Sequence, residues 1–289
     1  MSGCAEGIVI CVGPGGAFSV NAVGLDGAPF PLSFSVREIA GCWVVAATAV
    51  QASELADVLV SAAQDTVVVV DVATNSFLDE KYVQWQPSRI AAAQGVTCSV
   101  HGFGSLAGGV VGLSDEALVM RRQDLPGFLY GWAPYELTLV GLPGRPRAEQ
   151  LDEIALAIGT AEQGQPILPA LPGCSLWYSG HDDCYAWVES TDRGVCLAIM
   201  RRLLALLVGS ALVKAEPVEV SEPTDSLVEA LIADSPHWIG RLGAASSRTV
   251  TVDLSAASEP WRLSRQLPRQ VDRAAVYDVL KSTWHLVRL

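Results

Sequence analysis

A histidine, two carboxylates and a cysteine occupy four consecutive positions in the stretch "SGHDDCYAWVES". These residue types suit nucleophilic catalysis, in which a thiolate attacks after a neighbouring base has taken its proton. Cys184 would be the nucleophile, and either His181 or His101 would be its base. Asp182 or Asp183 would orient that base. No surrounding motif matches a nucleophile signature such as G-x-S-x-G, so an enzyme is the alternative hypothesis and not the leading one.

Two pairs of metal-binding residue types are present, with two intervening residues in each pair. Cys98 and His101 form one pair in "CSVH", and His181 and Cys184 form the other in "HDDC". Together they supply the two thiolates and two imidazoles that a tetrahedral zinc ion accepts. However, residues three apart in an extended strand point to opposite faces, so such a pair cannot share one ion unless the chain turns. We therefore predict no cofactor, with zinc at these four residues as the alternative.

The same stretch also has a purely structural interpretation, as the tip of a β-hairpin. The alternating pattern of "CYAWV" after the turn is typical of a strand with one buried side. Free cysteines are among the residues most often buried, which suits Cys184 at the start of that strand. We favour this interpretation, in which His181 and the two aspartates are the polar end of two paired strands.

The order of predicted elements places this hairpin in a mixed α+β fold. Residues 131–222 are predicted to form a ferredoxin-like domain, because strand, helix, two strands, helix and strand follow one another. Residues 1–130 are predicted to be a strand-rich domain. It contains a β-α-β unit whose last strand, "TVVVVDVA", is nearly continuously apolar and is therefore predicted to be buried on both faces. Residues 223–289 are predicted to be a helical extension with one strand, "RTVTVDLS". Its last helix is inferred from Val276, Val279, Leu280 and Val287.

Composition and charge argue against nucleic-acid and membrane partners. The chain has 19 basic and 31 acidic residues, and a net charge of -12 repels phosphate backbones. The apolar segment 195–213 carries Arg201 and Arg202 at its middle, where each would cost about 2.5 to 3.5 kcal/mol to insert into a bilayer. A buried core helix is therefore predicted there. The first residues lack the pattern of a signal peptide, so we expect a cytoplasmic protein.

Aromatic side chains are concentrated around the predicted middle sheet. Neighbouring aromatic positions in a strand cannot all face one core, because side chains alternate between the two faces. If helices cover one face only, an aromatic surface is left for a partner, although another domain would cover it equally well. The predicted binding surface consists of Trp132, Tyr135, Trp177, Tyr178, Tyr185 and Trp187.

The leading functional hypothesis is a cytoplasmic, non-enzymatic protein-binding module of the inhibitor, immunity or chaperone type, which binds a partner protein or self-associates. It follows from a chain that is 50% hydrophobic but only 17% charged, and from the absence of a strong catalytic motif. The alternative is a hydrolase or transferase, with or without zinc, whose site lies in an interdomain cleft around His101 and residues 181–184.

Overall fold

Fifteen β-strands and six α-helices make up the regular structure of the residues that this computed structural model describes. Those residues are 8–12, 16–20, 32–48, 50, 52–70, 87–104, 116–131, 136–161, 165–171, 173–181, 185–212, 218–257 and 270–289. The strands are β1 (Ile8–Val12), β2 (Gly16–Val20), β3 (Leu32–Ile39), β4 (Cys42–Thr48), β5 (Thr66–Val70), β6 (Cys98–Gly102), β7 (Glu116–Arg121), β8 (Glu136–Leu142), β9 (Leu176–His181), β10 (Tyr185–Ser190), β11 (Val218–Val220), β12 (His237–Ala245), β13 (Thr249–Ala256), β14 (Arg273–Asp278) and β15 (Thr283–Arg288). The helices are α1 (Ala56–Ala62), α2 (Pro87–Ala93), α3 (Leu125–Gly131), α4 (Ala148–Gly159), α5 (Arg193–Leu212) and α6 (Asp225–Asp234).

Twelve of these strands form one long sheet in the order β15-β14-β13-β12-β3-β4-β10-β9-β8-β5-β7-β6. Every neighbouring pair in it is antiparallel. The other three strands form a small sheet, β11-β1-β2, in which β11 runs parallel to β1. Sheet order differs from chain order, since β3 and β4 lie between β12 and β10. The long sheet therefore combines strands from widely separated parts of the chain, from β3 to β15.

Helices cover the two faces of the long sheet unequally. Five helices, α1, α2, α3, α5 and α6, pack on the face that carries Phe34, Val45 and Leu139, which we call the α5 face. On the opposite face, the α4 face, helix α4 packs against Val68 and Trp177. The described chain thus has two hydrophobic cores, a large one under α5 and a smaller one under α4.

Helix α5 is the central helix of the larger core. Most of its residues between Cys196 and Gly209 are buried, since the sheet lies on one side and α1 and α6 pack beside it. The prediction of a buried core helix is confirmed. By length and composition α5 is also apolar enough to cross a membrane, and 72% of its most apolar window is buried within the protein.

Strand β5 shows why a run of valines is buried on both sides. All five of its residues, Thr66–Val70, are buried, because Val67 and Val69 face the larger core while Val68 and Val70 face the smaller one. A strand covered on both faces needs a continuous apolar run, whereas a strand covered on one face needs only alternation. The prediction of a doubly buried strand at this position is confirmed.

The predicted ferredoxin-like domain is wrong, although its elements occur in the predicted order and the α+β class is confirmed. The last strand, β11, pairs with β1 in the small sheet and not with β8, β9 or β10. Helices α4 and α5 lie on opposite faces of the long sheet. An element order does not specify pairing, because the same order also forms consecutive antiparallel strands when the two helices cover different faces.

The predicted β-α-β unit has the right elements but the wrong neighbours. Strand β4, helix α1 and strand β5 follow one another in the chain. In the sheet, however, β10, β9 and β8 lie between β4 and β5. The four antiparallel steps make β4 and β5 run in the same direction, yet they do not touch, so no adjacent parallel pair is formed.

The predicted final helix is wrong, because the chain forms a hairpin between β14 and β15. The turn contains no glycine, asparagine or proline. Instead, the Asp278 carboxylate accepts the backbone N–H groups of Leu280 and Lys281. Ser282 takes the left-handed conformation, with φ 53°. Asp278 was the one local turn signal, since aspartate side chains stabilise turns by this contact.

The helical extension predicted for residues 223–289 is therefore wrong, although a helix, α6, lies at its start. Helix α6 is followed by four strands of the long sheet, β12 to β15. The predicted strand "RTVTVDLS" is confirmed as part of β13. His237 lies on β12 and His285 on β15. The domain boundaries proposed at residues 131 and 223 stay predictions.

Candidate functional site

The stretch from His181 to Tyr185 connects β9 and β10, as the hairpin interpretation requires. The backbone of His181 pairs with that of Tyr185, and the pairing continues along both strands. Asp182, Asp183 and Cys184 lie outside the described residues, so their roles as orienting groups and nucleophile stay predictions. The hairpin itself is confirmed.

His101 lies far from that turn in the sheet. It is on β6, and its Nε2 atom is 3.1 Å from Oδ1 of Asp152 on helix α4. The ring of Phe103 packs edge-on against it, with 5.3 Å between ring centroids. Four strand spacings separate β6 from β9, or about 19 Å at the usual distance between strands. The structure thus does not bring His101 to His181.

The two halves of the predicted zinc site are also separated. Cys98 packs against the larger core, whereas His101 is paired with Ala117, a residue of the smaller core. The two side chains therefore lie on opposite faces of β6, as expected for residues three apart in a strand. Burial, together with the charge of Glu116, raises the pKa of the Cys98 thiol, which disfavours the thiolate that zinc needs.

Within the described ranges, no group of three or more histidine, cysteine, aspartate or glutamate side chains is arranged to hold a metal ion. Because His101 and His181 lie on strands that are four spacings apart, a single zinc ion does not reach both histidines. The expectation of no cofactor stays a prediction.

The described side chains of the predicted aromatic surface lie in or against the two cores. Trp177 is 6% exposed in the smaller core and Tyr178 is 1% exposed in the larger one. Trp187 is partly buried against the smaller core. Such side chains stabilise the fold and present little surface to a partner. Tyr185 is described only by its backbone, and Trp132 and Tyr135 lie outside the described residues.

Glu189 is a buried carboxylate that the sequence did not single out. Its oxygens accept the backbone N–H groups of Ile167 and Leu168, at 2.8 and 2.7 Å, and the indole N–H of Trp187 at 2.7 Å. Burial raises the pKa of Glu189, while these three hydrogen bonds act in the opposite direction. The contacts fasten the segment before β9 to strand β10, which is a structural role.

Arg202 explains how a charged residue fits inside the apolar helix α5. Its guanidinium donates to the carboxylates of Asp57 and Glu222 and to the backbone carbonyl of Glu54. Burial lowers the pKa of Arg202, but the hydrogen bonds to Asp57 and Glu222 outweigh it and raise the pKa overall. A buried charge paired in this way links α5 to α1 and to the loop before α6.

A cleft of about 550 Å³ lies between α1 and the beginning of α5. Its three serine hydroxyls have backbone acceptors. Ser61 donates to the carbonyl of Asp57, Ser175 to that of Ala62, and Ser190 to that of Ser175. Since these serines, Arg202 and Glu222 already bond to other protein groups, most of the polar lining of the cleft holds the elements together.

The C-terminal hairpin combines the last strand of the long sheet with exposed apolar side chains. Strand β15 ends the long sheet and pairs on one side with β14. Among the described residues only five large hydrophobic side chains are exposed, and three of them belong to this hairpin or its end. They are Leu280 (74% exposed), Val287 (41%) and Leu289 (67%).

The direction of the backbone groups of β15 follows from its pairing. Leu289 N–H donates to the carbonyl of Asp272, and Val279 N–H donates to that of Arg248. Both bonds fit one register, in which residues 283, 285, 287 and 289 point their backbone groups towards β14. Trp284, Leu286 and Arg288 consequently point theirs away from the sheet. We call this row of outward backbone groups the β15 edge.

Comparison with protein-family models, with curated proteins and with solved structures finds no match to this chain.

Proposed function

We propose that this chain is a non-enzymatic protein-binding module that self-associates by pairing β15 with β15 of a second copy. One observation carries the proposal. The last strand of the long sheet is regular and six residues long, no described strand pairs with its outer side, and exposed apolar side chains lie beside it. Addition of a strand to such an edge is a common form of protein recognition, in which backbone hydrogen bonds provide affinity.

The register of β15 supports a second copy as the added strand. With a two-fold axis at Leu286, the outward groups of Leu286 bond to those of its own copy. Trp284 then lies opposite Arg288 of the second copy. This places a guanidinium beside an aromatic ring, which is attractive, and it avoids opposing two arginines. An antiparallel contact of this kind is closed, because each copy uses the same edge.

The sequence of β15 has little of the usual protection of an edge. Natural edge strands avoid pairing by means of proline, charged side chains or a bulge, and "TWHLVR" has no proline, no bulge and a single formally charged residue, Arg288. Its pairing with β14 is continuous, without a register shift. The net charge of -12 opposes association, but charges are screened beyond about 10 Å at 0.1 M salt.

The module would act in the cytoplasm, without nucleic-acid or membrane partners. The acidic net charge supports the exclusion of nucleic acid, and the burial of α5 within the protein supports the exclusion of a membrane. An inhibitor, immunity or chaperone role would use the same edge to bind a strand of another protein.

Sedimentation velocity of the untagged protein, from 1 to 500 µM at 0.1 M salt, tests the proposal. We expect a concentration-dependent dimer. Leu286→Pro removes an outward N–H and should weaken the dimer at least tenfold. Arg288→Pro does the same at an exposed position and keeps the test valid if the first variant fails to fold.

Leu280→Ser is the matched control, because it removes an apolar side chain from the same hairpin without altering the β15 edge. It should dimerise as the wild type does. A wild-type protein that stays monomeric over the whole range, or two proline variants that dimerise normally, would overturn the proposal.

A further inference from the structure

Three polar side chains on the α4 face have buried atoms without a hydrogen-bond partner in the described part of the chain. They are Ser35 Oγ, Arg37 Nε and His237 Nδ1. A fourth such atom, Arg201 Nε, lies 3.3 Å from a Glu222 carboxylate oxygen and so has a charge partner. Buried polar atoms are nearly always bonded, so three unsatisfied groups of one neighbourhood need an explanation.

The three groups are neighbours because of the strand register. Ser35 on β3 is paired directly with His237 on β12. Arg37 is two residues after Ser35 on the same strand, so both side chains are on the same face. Directly paired positions have Cβ atoms about 5 Å apart, and positions two residues apart in a strand are separated by about 7 Å. The charge of Arg37 also acts on His237, whose pKa is lowered first by burial and then by this arginine.

The charge of Arg37 has no carboxylate to neutralise it among the described residues. Its guanidinium lies over the ring of Trp187, 5.9 Å from the centroid. The buried carboxylate on this face, Glu189, is occupied by Ile167, Leu168 and Trp187. A local positive charge thus remains in a chain whose net charge is -12.

The chemistry of the three groups defines what they would bind. Arg37 Nε can only donate, Ser35 Oγ can donate, and His237 Nδ1 donates in one of its two neutral tautomers. A ligand must therefore carry at least two acceptor oxygens and one negative charge. Ser35 is 1% exposed and Arg37 and His237 are partly exposed, while the three unbonded atoms are themselves closed to solvent. A ligand therefore reaches them only when the partly exposed Arg37 side chain moves aside, which suits a small molecule and not a folded partner.

From this arrangement we infer that Ser35, Arg37 and His237 form a binding site for the carboxylate group of a small molecule. The planar pair of oxygens fits a guanidinium N–H and a neighbouring hydroxyl together, and the negative charge offsets that of Arg37. This site lies on β3 and β12 and does not depend on pairing at the β15 edge.

An NMR titration with sodium acetate tests the inference, with sodium chloride added to hold the ionic strength constant. The imidazole resonances of His237 report on the site, and those of His285 on the exposed strand β15 serve as an internal reference. We expect a saturable shift at His237 and none at His285. Arg37→Gln should weaken acetate binding at least tenfold, and Ser35→Ala about threefold.

The matched control is Arg241→Gln, which removes an arginine from the same strand as His237 but one that already faces Asp253 at 3.7 Å. Its acetate affinity should equal that of the wild type. Arg37→Lys, which keeps the charge, guards against loss of folding and should bind acetate more strongly than Arg37→Gln. Absence of a saturable shift at His237, or an unchanged affinity in Arg37→Gln, would overturn the inference. Equal or stronger binding of inorganic phosphate would overturn the assignment to a carboxylate.

Discussion

The centre of the long sheet and its C-terminal end are made of similar antiparallel strands in different surroundings. At the centre, β5 is buried along its whole length because helices cover both faces. At the end, β13 and β15 alternate, and most of their residues on the α4 face, such as Thr251 and His285, are partly buried or exposed. Among the described residues, the centre is therefore covered on both faces and the end mainly on one.

The two regions also differ in which atoms lie closest to a glycine of the strand, backbone atoms or side-chain atoms. Gly141 on β8 lies under the end of α1, where an added Cβ would be 2.8 Å from Cα of Ala63. Gly240 on β12 faces side chains instead, with the nearest atom, Cδ2 of Leu254, at 3.3 Å. Backbone atoms cannot move aside as a flexible side chain can, so the centre has less tolerance for added volume.

The largest expected effect is the loss of a central apolar side chain. Leu139→Ala, at a position with 0% exposure, should lower the free energy of unfolding by about 2 to 5 kcal/mol. Val287→Ala at the sheet end, 41% exposed, should change it by about 0.5 kcal/mol or less. Urea unfolding at low protein concentration measures both, and equal losses would mean that the two regions do not differ in this way.

A smaller loss of stability is expected when either of the two glycines is replaced by alanine. Gly141→Ala should destabilise the protein by about 1 to 3 kcal/mol, because its methyl group meets the backbone of Ala63. Gly240→Ala should cost about 1 kcal/mol or less, since the Leu254 side chain can shift. Thermal unfolding of the two variants under identical conditions compares them. The reverse order would show that α1 moves away from β8 more easily than this packing implies.

The buried carboxyl group of Glu189 should make the free energy of unfolding depend on pH. Burial raises its pKa in the folded protein, so the folded state holds this proton more tightly than the unfolded state does. Stability from this group is fully present below the ordinary glutamate pKa of 4.5 and falls as the pH rises through the higher pKa of the folded state. Glu189→Gln should remove that fall and should cost about 1 to 3 kcal/mol at low pH through a poorer hydrogen bond.

The free energies of unfolding of the wild type and of Glu189→Gln, measured between pH 4 and pH 8, test whether this group loses stability as the pH rises. Asp253→Asn, a partly exposed carboxyl at the sheet end, is the control and should leave the profile nearly unchanged. A gap between wild type and Glu189→Gln that widens with pH would contradict the expectation, since it would mean that the ionised carboxylate is stabilising.

The smallest expected effect is a difference in hydrogen-exchange rate between alternate backbone amides of β15. The N–H groups of Leu286 and Arg288 point away from the sheet, whereas those of His285 and Val287 bond to β14. At concentrations where the protein is monomeric, the outward amides should exchange about tenfold faster than the inward ones. At dimer concentrations the difference should disappear. Persistence of fast exchange in the dimer would place the contact elsewhere.

Much of the secondary structure could be predicted from local pattern. The apolar run of β5, the alternation of β13 and the apolar helix α5 were all readable, because their burial follows from residue type alone. The β14–β15 hairpin was missed since its turn uses Asp278 and Ser282 in place of glycine or asparagine. Apolar residues around a turn then imitate the spacing of a helix.

The candidate sites were much less predictable. The pairing of His101 with Asp152 and the binding of Glu189 to the segment before β9 join residues far apart in the chain. The neighbourhood of Ser35 and His237 requires that β12 return beside β3, which no local pattern shows. The hairpin at residues 181–185 was predicted because it is a local feature.

The sequence by itself determined the α+β class, the doubly buried strand, the buried helix and the acidic surface, since each depends on the chemistry of adjacent residues. Only the tertiary structure decided which strands are neighbours and which face each helix covers. It separated His101 from the His181 turn and left β15 as the last strand of the sheet. The physical reason is that strand pairing is settled by long-range burial, where many pairings satisfy the same local pattern and the packed cores select one.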